Sequence, residues 1–175
     1  MNKYYVKTIL YAYPNLDFVA EQIDKIVEEK AILSMEDCRP CLEQCEDILE
    51  YTYQKDCLFS LELMVNNIVD KITPNEMDYL EYKYFKRKPK EYFANFDALS
   101  RGYFRKQASL TEKVGLMLER EGMTDKVFEE KYLSIDFFKR LLKCTIDHET
   151  AFCKNKGKKQ VKTFSQKAKM NKLSA

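Results

Sequence analysis

The sequence predicts an all-α protein, and three observations support this. Glycine and proline, which interrupt helices, contribute only four residues each to the 175. Hydrophobic residues make up 45% of the chain and charged residues 33%, a composition typical of amphipathic helices. Apolar positions recur at helical spacing through most of the chain, so we expect about seven helices and no sheet.

Residues 1–70 predict an acidic, antiparallel helical hairpin. The first apolar stripe runs through Leu16, Val19, Ile23, Ile26, Val27 and Ile32. The second helix is expected to begin near Pro40, which a first helical turn tolerates, and no glycine or proline follows before Pro74. Its apolar pattern runs through Leu42, Cys45, Leu49, Thr52, Phe59, Val65 and Ile68. The short connection between the two stripes favours antiparallel neighbours.

Residues 71–122 predict three helices in a row. Thr73 and Glu76 have capping-box spacing around Pro74, and the inward stripe of this first helix is Met77, Leu80 and Tyr84. A short helix is expected from Pro89 to about Phe96. A longer one follows from Ser100 to about Glu121, with Gly122 as its C-terminal cap. Its expected buried positions are Phe104, Leu110, Val114, Met117 and Leu118.

Residues 123–153 predict two further short helices, which Thr124 and Ser134 are expected to cap. Residues 154–175 contain eight lysines and no acidic residue, with little apolar content, so we expect this tail to be disordered.

Charge is segregated along the chain, although the formal net charge is only +2. Residues 1–82 contain 7 basic and 17 acidic side chains, whereas residues 83–106 contain 8 basic and 2 acidic ones. The lysine-rich tail is a second basic segment. Two basic segments in an otherwise acidic chain favour a polyanionic partner.

The segment "ITPNEMDYLEYKYF" resembles the first helix of the fourth conserved region of bacterial primary sigma factors, and "SRGYFRKQASLTEKVGLML" is similar to its recognition helix. With an acidic hairpin before it, the arrangement resembles phage-associated transcriptional regulators of the RinA and ArpU type. The resemblance implies a helix-turn-helix in residues 71–122 and a sequence-specific, DNA-binding transcriptional regulator.

The resemblance also implies which residues face DNA. The base-facing candidates are Ser100, Arg101, Gly102, Arg105, Lys106 and Ser109. Arg101 and Arg105 are one helical turn apart, so they project from one face, where arginine pairs bidentately with guanine. The phosphate-contacting candidates are Lys83, Lys86, Arg87, Lys88 and Lys90. Three residues depart from the pattern: Ala98 stands where glycine is usual, Asp97 where an apolar residue is usual, and Gln107 where a core aliphatic residue is expected.

Two other interpretations stay open at this point. A basic helix is often only a solvated face, or it docks an acidic partner in a non-enzymatic adaptor protein. RNA binding is the least favoured, because no aromatic base-stacking platform is evident.

Metal and catalytic sites are not expected, and neither is a cofactor. Cys38, Cys41 and Cys45 lack a second Cys-x-x-Cys pair that would complete a zinc site. A sparser group contains Cys144, His148 and Cys153. We expect Cys45 and Cys57 to be small core residues, with all thiols unpaired in a reducing cytosol. With one histidine and no glycine-rich phosphate loop, the sequence predicts no enzyme.

The sequence predicts a cytoplasmic protein that does not contact membranes. No apolar run approaches the roughly 20 residues of a membrane span. The first segment, "MNKYYVKTILYAYPNLDF", is weak as a secretory signal, because Lys7 interrupts its short apolar stretch. The expected partners are double-stranded DNA and, for residues 1–70, RNA polymerase or a second copy of the chain.

Overall fold

A computed structural model of the chain describes residues 1–33, 40–86, 88, 92 and 100–151. Within these residues it contains helices and turns and no strand, so the all-α prediction is confirmed. The helix expected from Pro89 to Phe96 lies outside the described residues, apart from Tyr92. The tail of residues 154–175 lies wholly outside them.

The helices follow one another closely along the chain. Their bounds are α1 Lys3–Ala12, α2 Leu16–Leu33, α3 Cys41–Val69, α4 Pro74–Leu80, α5 Arg101–Arg120, α6 Asp125–Val127 and α7 136–151. A 3-10 turn, Tyr13–Asn15, joins α1 to α2. The π-helical turns Glu81–Phe85 and Phe128–Tyr132 extend α4 and α6.

Helix α1 was not expected from the sequence. Asn2 caps it by accepting a hydrogen bond from the Tyr4 backbone N–H at 3.0 Å. Its apolar side chains are buried: Val6, Ile9, Leu10 and Ala12 are each at most 1% exposed. The short apolar stretch that resembles a weak signal sequence is therefore part of the core.

Helices α2 and α3 pack side by side and run antiparallel. Lys30 pairs with Asp47 at 2.8 Å, and Lys55 pairs with Asp24 at 2.6 Å. The residue earlier in α2, Asp24, pairs with the residue later in α3, Lys55, and the residue later in α2, Lys30, pairs with the one earlier in α3, Asp47. Only antiparallel helices allow this order.

The face that α3 turns to the core is not the one expected. Leu42, Cys45, Leu49, Thr52 and Phe59 are all exposed. The buried positions are Gln44, Cys57, Leu58, Leu61, Val65 and Ile68. Only Val65 and Ile68 of the expected pattern are buried, because α3 carries two apolar stripes and the core takes the other one. On α2, Ile26 and Ile32 also lie outside the core.

Several predicted caps are confirmed. Thr73 and Glu76 form the reciprocal capping box around Pro74. Gly122 follows α5 with φ +92°, a left-handed conformation that favours glycine. Thr124 accepts from the Val127 N–H at 3.3 Å, but Ser134 donates its hydroxyl to the Lys131 carbonyl instead of capping α7.

One core cluster joins α1 to the segments that follow α3. A side chain at Gly115 of α5 would place its Cβ 3.1 Å from Val6 Cγ2, so this glycine lets α1 and α5 approach closely. The Tyr11 and Tyr84 rings meet edge to face at 4.7 Å, which packs α1 against the turn after α4. These contacts fix how α5 is rotated, and hence which of its residues face outward.

Candidate nucleic-acid interface

The candidate interface begins at the N-terminus of α5. Ser100 has an extended backbone, and its hydroxyl accepts a hydrogen bond from the Tyr103 N–H at 3.0 Å. The predicted N-cap is therefore confirmed. Within α5 the first acidic residue is Glu112, so the first three turns carry only positive charge. That charge lies beside the positive end of the helix dipole, a combination that attracts anions.

The structure places the arginines on the solvent side of α5. Arg101, Arg105, Lys106 and Ser109 are all exposed. The opposite face is buried and consists of Tyr103, Gln107, Leu110, Thr111, Val114, Gly115 and Leu118. Arg101, Arg105 and Ser109, spaced four residues apart, form a stripe that faces away from this core.

The prediction that Phe104 is buried is wrong. Phe104 is 37% exposed, whereas Tyr103 is 7% exposed. Tyr103 packs against Tyr79 and Tyr82, with ring centroids 5.7 Å and 5.9 Å away. A shift of one residue rotates a helix face by about 100°. The aromatic cluster beside α4 therefore decides which of the two neighbouring rings is buried.

Lys106 lies on the flank of α5 that faces α4. Its ammonium is 5.5 Å from the centroid of the Tyr79 ring, within the range of a cation–π contact. Its position differs from that of Arg101 and Arg105, which lie on the outermost stripe.

A phosphate contact would require an ammonium group that is free at the surface. Lys83 does not meet this requirement. Its side chain is half-buried, and its ammonium donates a hydrogen bond to Gln107 Oε1 at 2.7 Å. Burial lowers the pKa of the Lys83 ammonium, and the nearby positive charge of Lys7 lowers it further. Gln107 is buried at a position where the recognition helix that this segment resembles has an aliphatic residue. The two unexpected side chains, Lys83 and Gln107, therefore contact each other.

The other phosphate candidates have different environments. Lys86 is exposed and has a left-handed backbone with φ +53°. Lys88 pairs with Asp78 at 3.1 Å, and its ammonium lies 4.0 Å from the centre of the Tyr92 ring. Hydrogen bonds to Tyr92 and Asp78 raise the pKa of Lys88. Arg87 and Lys90 lie outside the described residues.

The cysteines do not gather around a common point in the part of the chain that the structure describes. Cys41, Cys45 and Cys144 are exposed and Cys57 is buried, so the prediction of a core position holds for Cys57 and is wrong for Cys45. Among the described residues no group of three or more Cys, His, Asp or Glu side chains is placed to hold a metal ion. Cys38 and Cys153 lie outside those residues.

Comparison with known proteins adds no relative. No family model, curated protein or solved structure matches the chain. Among the described residues, no helix combines the length and the apolar character that a membrane span needs. The geometry around α5 is therefore the basis on which a function is proposed.

Proposed function

We propose that the protein is a sequence-specific, DNA-binding transcriptional regulator that inserts the N-terminal half of α5 into the major groove. One observation carries the proposal: Arg101, Arg105 and Ser109 form an exposed stripe on the face of α5 opposite the core. The resemblance of this helix to a sigma-factor recognition helix supports the same proposal.

Each part of the stripe has a distinct role in this proposal. Arg101 and Arg105 read base edges, because a guanidinium matches the two acceptors of guanine. Ser100 holds the first turn, and the remaining N–H groups of that turn point toward a backbone phosphate. Ser109 extends the arginine stripe by one turn, and Lys106 contributes a positive charge from the flank of α5 that faces α4.

Phosphate contacts come from the end of the α4 segment. Lys86 is exposed there and supplies one such contact, whereas Lys88 first has to leave Asp78. Arg87 and Lys90 stay predictions of the same kind. Lys83 is not part of this set, since its ammonium is already bonded to Gln107.

A titration of the protein against random duplex DNA, at about 50 mM and about 200 mM salt, tests the proposal. Binding should weaken steeply at the higher salt concentration, because phosphate contacts release counterions. A polyglutamate peptide of matched charge is the control. If the peptide competes as well as duplex DNA does, the adaptor hypothesis replaces this one.

The outer face of α3 favours a second, protein-binding role. Leu42, Leu49 and Leu63 are each more than 60% exposed there, and Cys45, Thr52 and Phe59 complete the stripe. The spacings of three, four and three residues from Leu42 to Thr52 are those of a coiled-coil seam, and the exposed Asp56 separates this part from Phe59 and Leu63. A single exposed leucine needs no explanation, but a group of exposed apolar side chains on one helix face indicates a partner. The proposed partners are RNA polymerase and a second copy of the chain, and the six acidic residues of α3 disfavour the second copy.

A further inference from the structure

A large groove lies beside α5, between this helix, α1 and the turn that follows α4. Its volume is about 1340 Å³, above the roughly 300–1,000 Å³ of common small-molecule sites. Helix α1, the Glu81–Phe85 turn, α5 and α7 each contribute to its walls. The aromatic side chains of the lining are Tyr11, Tyr82, Tyr103 and Phe104.

The lining of the groove contains an ammonium group, that of Lys83, without an ion-pair contact among the described residues. The half-buried Lys83 ammonium bonds to the neutral Gln107 amide, and among the described residues it forms no ion pair. An ammonium group that leaves water without a carboxylate in ion-pair contact is costly. Burial and the charge of Lys7 lower the pKa of Lys83, and the more distant Glu149 carboxylate offsets this only in part. An anion entering the groove would remove the imbalance.

Gln107 adds a second unsatisfied group at the same place. Its side chain is 6% exposed and lines the groove, and its Nε2 is buried with no hydrogen-bond partner. Buried amide donors are nearly always paired, so an orphaned one needs an explanation. Because Lys83 is hydrogen-bonded to Gln107, a ligand acceptor that reaches the Lys83 ammonium also lies next to this amide.

Other charges in the groove limit what the ligand can be. Lys7 is held by an ion pair with Glu149, and both line the groove. Glu81 and Glu112 line it as well. Lys3, Lys86 and Lys88 line the groove too, and Lys88 pairs with Asp78. Apart from the paired Lys7 and Lys88, three lysines therefore face two carboxylates, and an excess of one positive charge favours a ligand with a single negative charge.

We propose that this groove binds a small amphipathic organic anion, an aromatic or aliphatic body with one carboxylate, whose charge contacts Lys83 and Gln107. The apolar part lies against Tyr103 and Phe104 of α5. Lys86 and Lys88 line the groove, but none of the outward arginines does, so the proposal does not rest on base reading by α5.

Two dyes with the same rings test the site on the native protein. Anilinonaphthalene sulfonate carries one negative charge, and phenylnaphthylamine is its uncharged parent. One molecule of the anion should bind per chain, about tenfold or more tighter than the neutral dye, because a hydrogen bond to a charged group is worth about 1.5–3 kcal/mol. Decanoate should displace it at lower concentrations than decanol does, and inorganic phosphate should not displace it.

Lys83→Met keeps the length of the side chain and removes its charge. We expect it to lower the affinity for the anionic dye by about tenfold and to leave the neutral dye unaffected. Lys126→Met is the matched control, since that side chain is 82% exposed and does not line the groove. Equal affinity for the two dyes in the native protein would overturn the proposal. So would an unchanged preference for the anion in a Lys83→Met protein whose circular dichroism is native.

Discussion

Helices α3 and α5 both bury one face and expose the other, but their exposed faces are opposite in character. The outer face of α3 is mainly apolar, with Leu42, Leu49 and Leu63 along it and Asp56 as an exception, and the helix contains six acidic residues and one lysine. The outer face of α5 begins with Arg101 and Arg105 and has no acid before Glu112.

This difference suggests that the two faces serve different partners. The basic face suits a polyanion such as DNA, whereas the apolar face suits a protein surface. The acidic residues of α3 also oppose a close pairing of two α3 helices, so a basic partner surface is favoured over a second copy.

The largest losses of stability should come from substitutions on the buried faces of α3 and α5. Leu61→Ala in α3 and Leu118→Ala in α5 remove side chains that are 0% exposed, and each should lower the free energy of unfolding by about 2–5 kcal/mol. Leu63→Ala and Leu116→Ala are the matched outer-face changes, at side chains 64% and 53% exposed. Chemical denaturation should show changes within about 0.5 kcal/mol for these two. Equal losses at inner and outer positions would mean that the faces are assigned wrongly.

A smaller effect is expected at the first turn of α5. Ser100→Ala removes the hydroxyl that accepts from the Tyr103 N–H, and it should cost about 0.5–2 kcal/mol of stability. Ser109→Ala is the same change at an exposed position within the helix, where the cost should stay within about 0.5 kcal/mol. Thermal unfolding of both variants measures the difference. If Ser100→Ala lowers the stability no more than Ser109→Ala does, the assignment of Ser100 as the N-cap of α5 is contradicted.

The smallest effect concerns a single phosphate contact. Lys86→Asn removes one exposed charge and keeps a residue that tolerates a left-handed backbone. It should weaken binding to all duplex sequences alike and reduce the salt dependence by about one unit of slope. Lys83→Met should leave that slope unchanged, because its ammonium is bonded to Gln107. The same loss in both variants would show that Lys83 reaches DNA after all.

The sequence was enough to predict the helical fold and the capping of α4 and α5. Those features depend on local groups: Thr73 and Glu76 lie three residues apart, and Ser100 is three residues before the N–H that it binds. Such contacts form within one helical turn, so the pattern of residues determines them.

The orientation of α3 and the burial of Lys83 were not predictable in this way. Helix α3 has an apolar stripe on both faces, so periodicity alone does not decide which one packs against α2. Lys83 and Gln107 are 24 residues apart, and their contact depends on how α5 packs against the turn after α4. Helix α1 was missed because its apolar run is short and ends at a proline-containing turn.

The most direct test of the central claim is a selection of binding sites from a random duplex library, followed by titration of the selected site. The native protein should select a defined motif. Arg101→Ala and Arg105→Ala should each cost about 1–3 kcal/mol on it and relax the preference at one base pair. Arg120→Ala, an exposed arginine at the other end of α5, should bind the motif as the native protein does. Unchanged affinity and unchanged base preference in both Arg101→Ala and Arg105→Ala would contradict the assignment of α5 to the major groove.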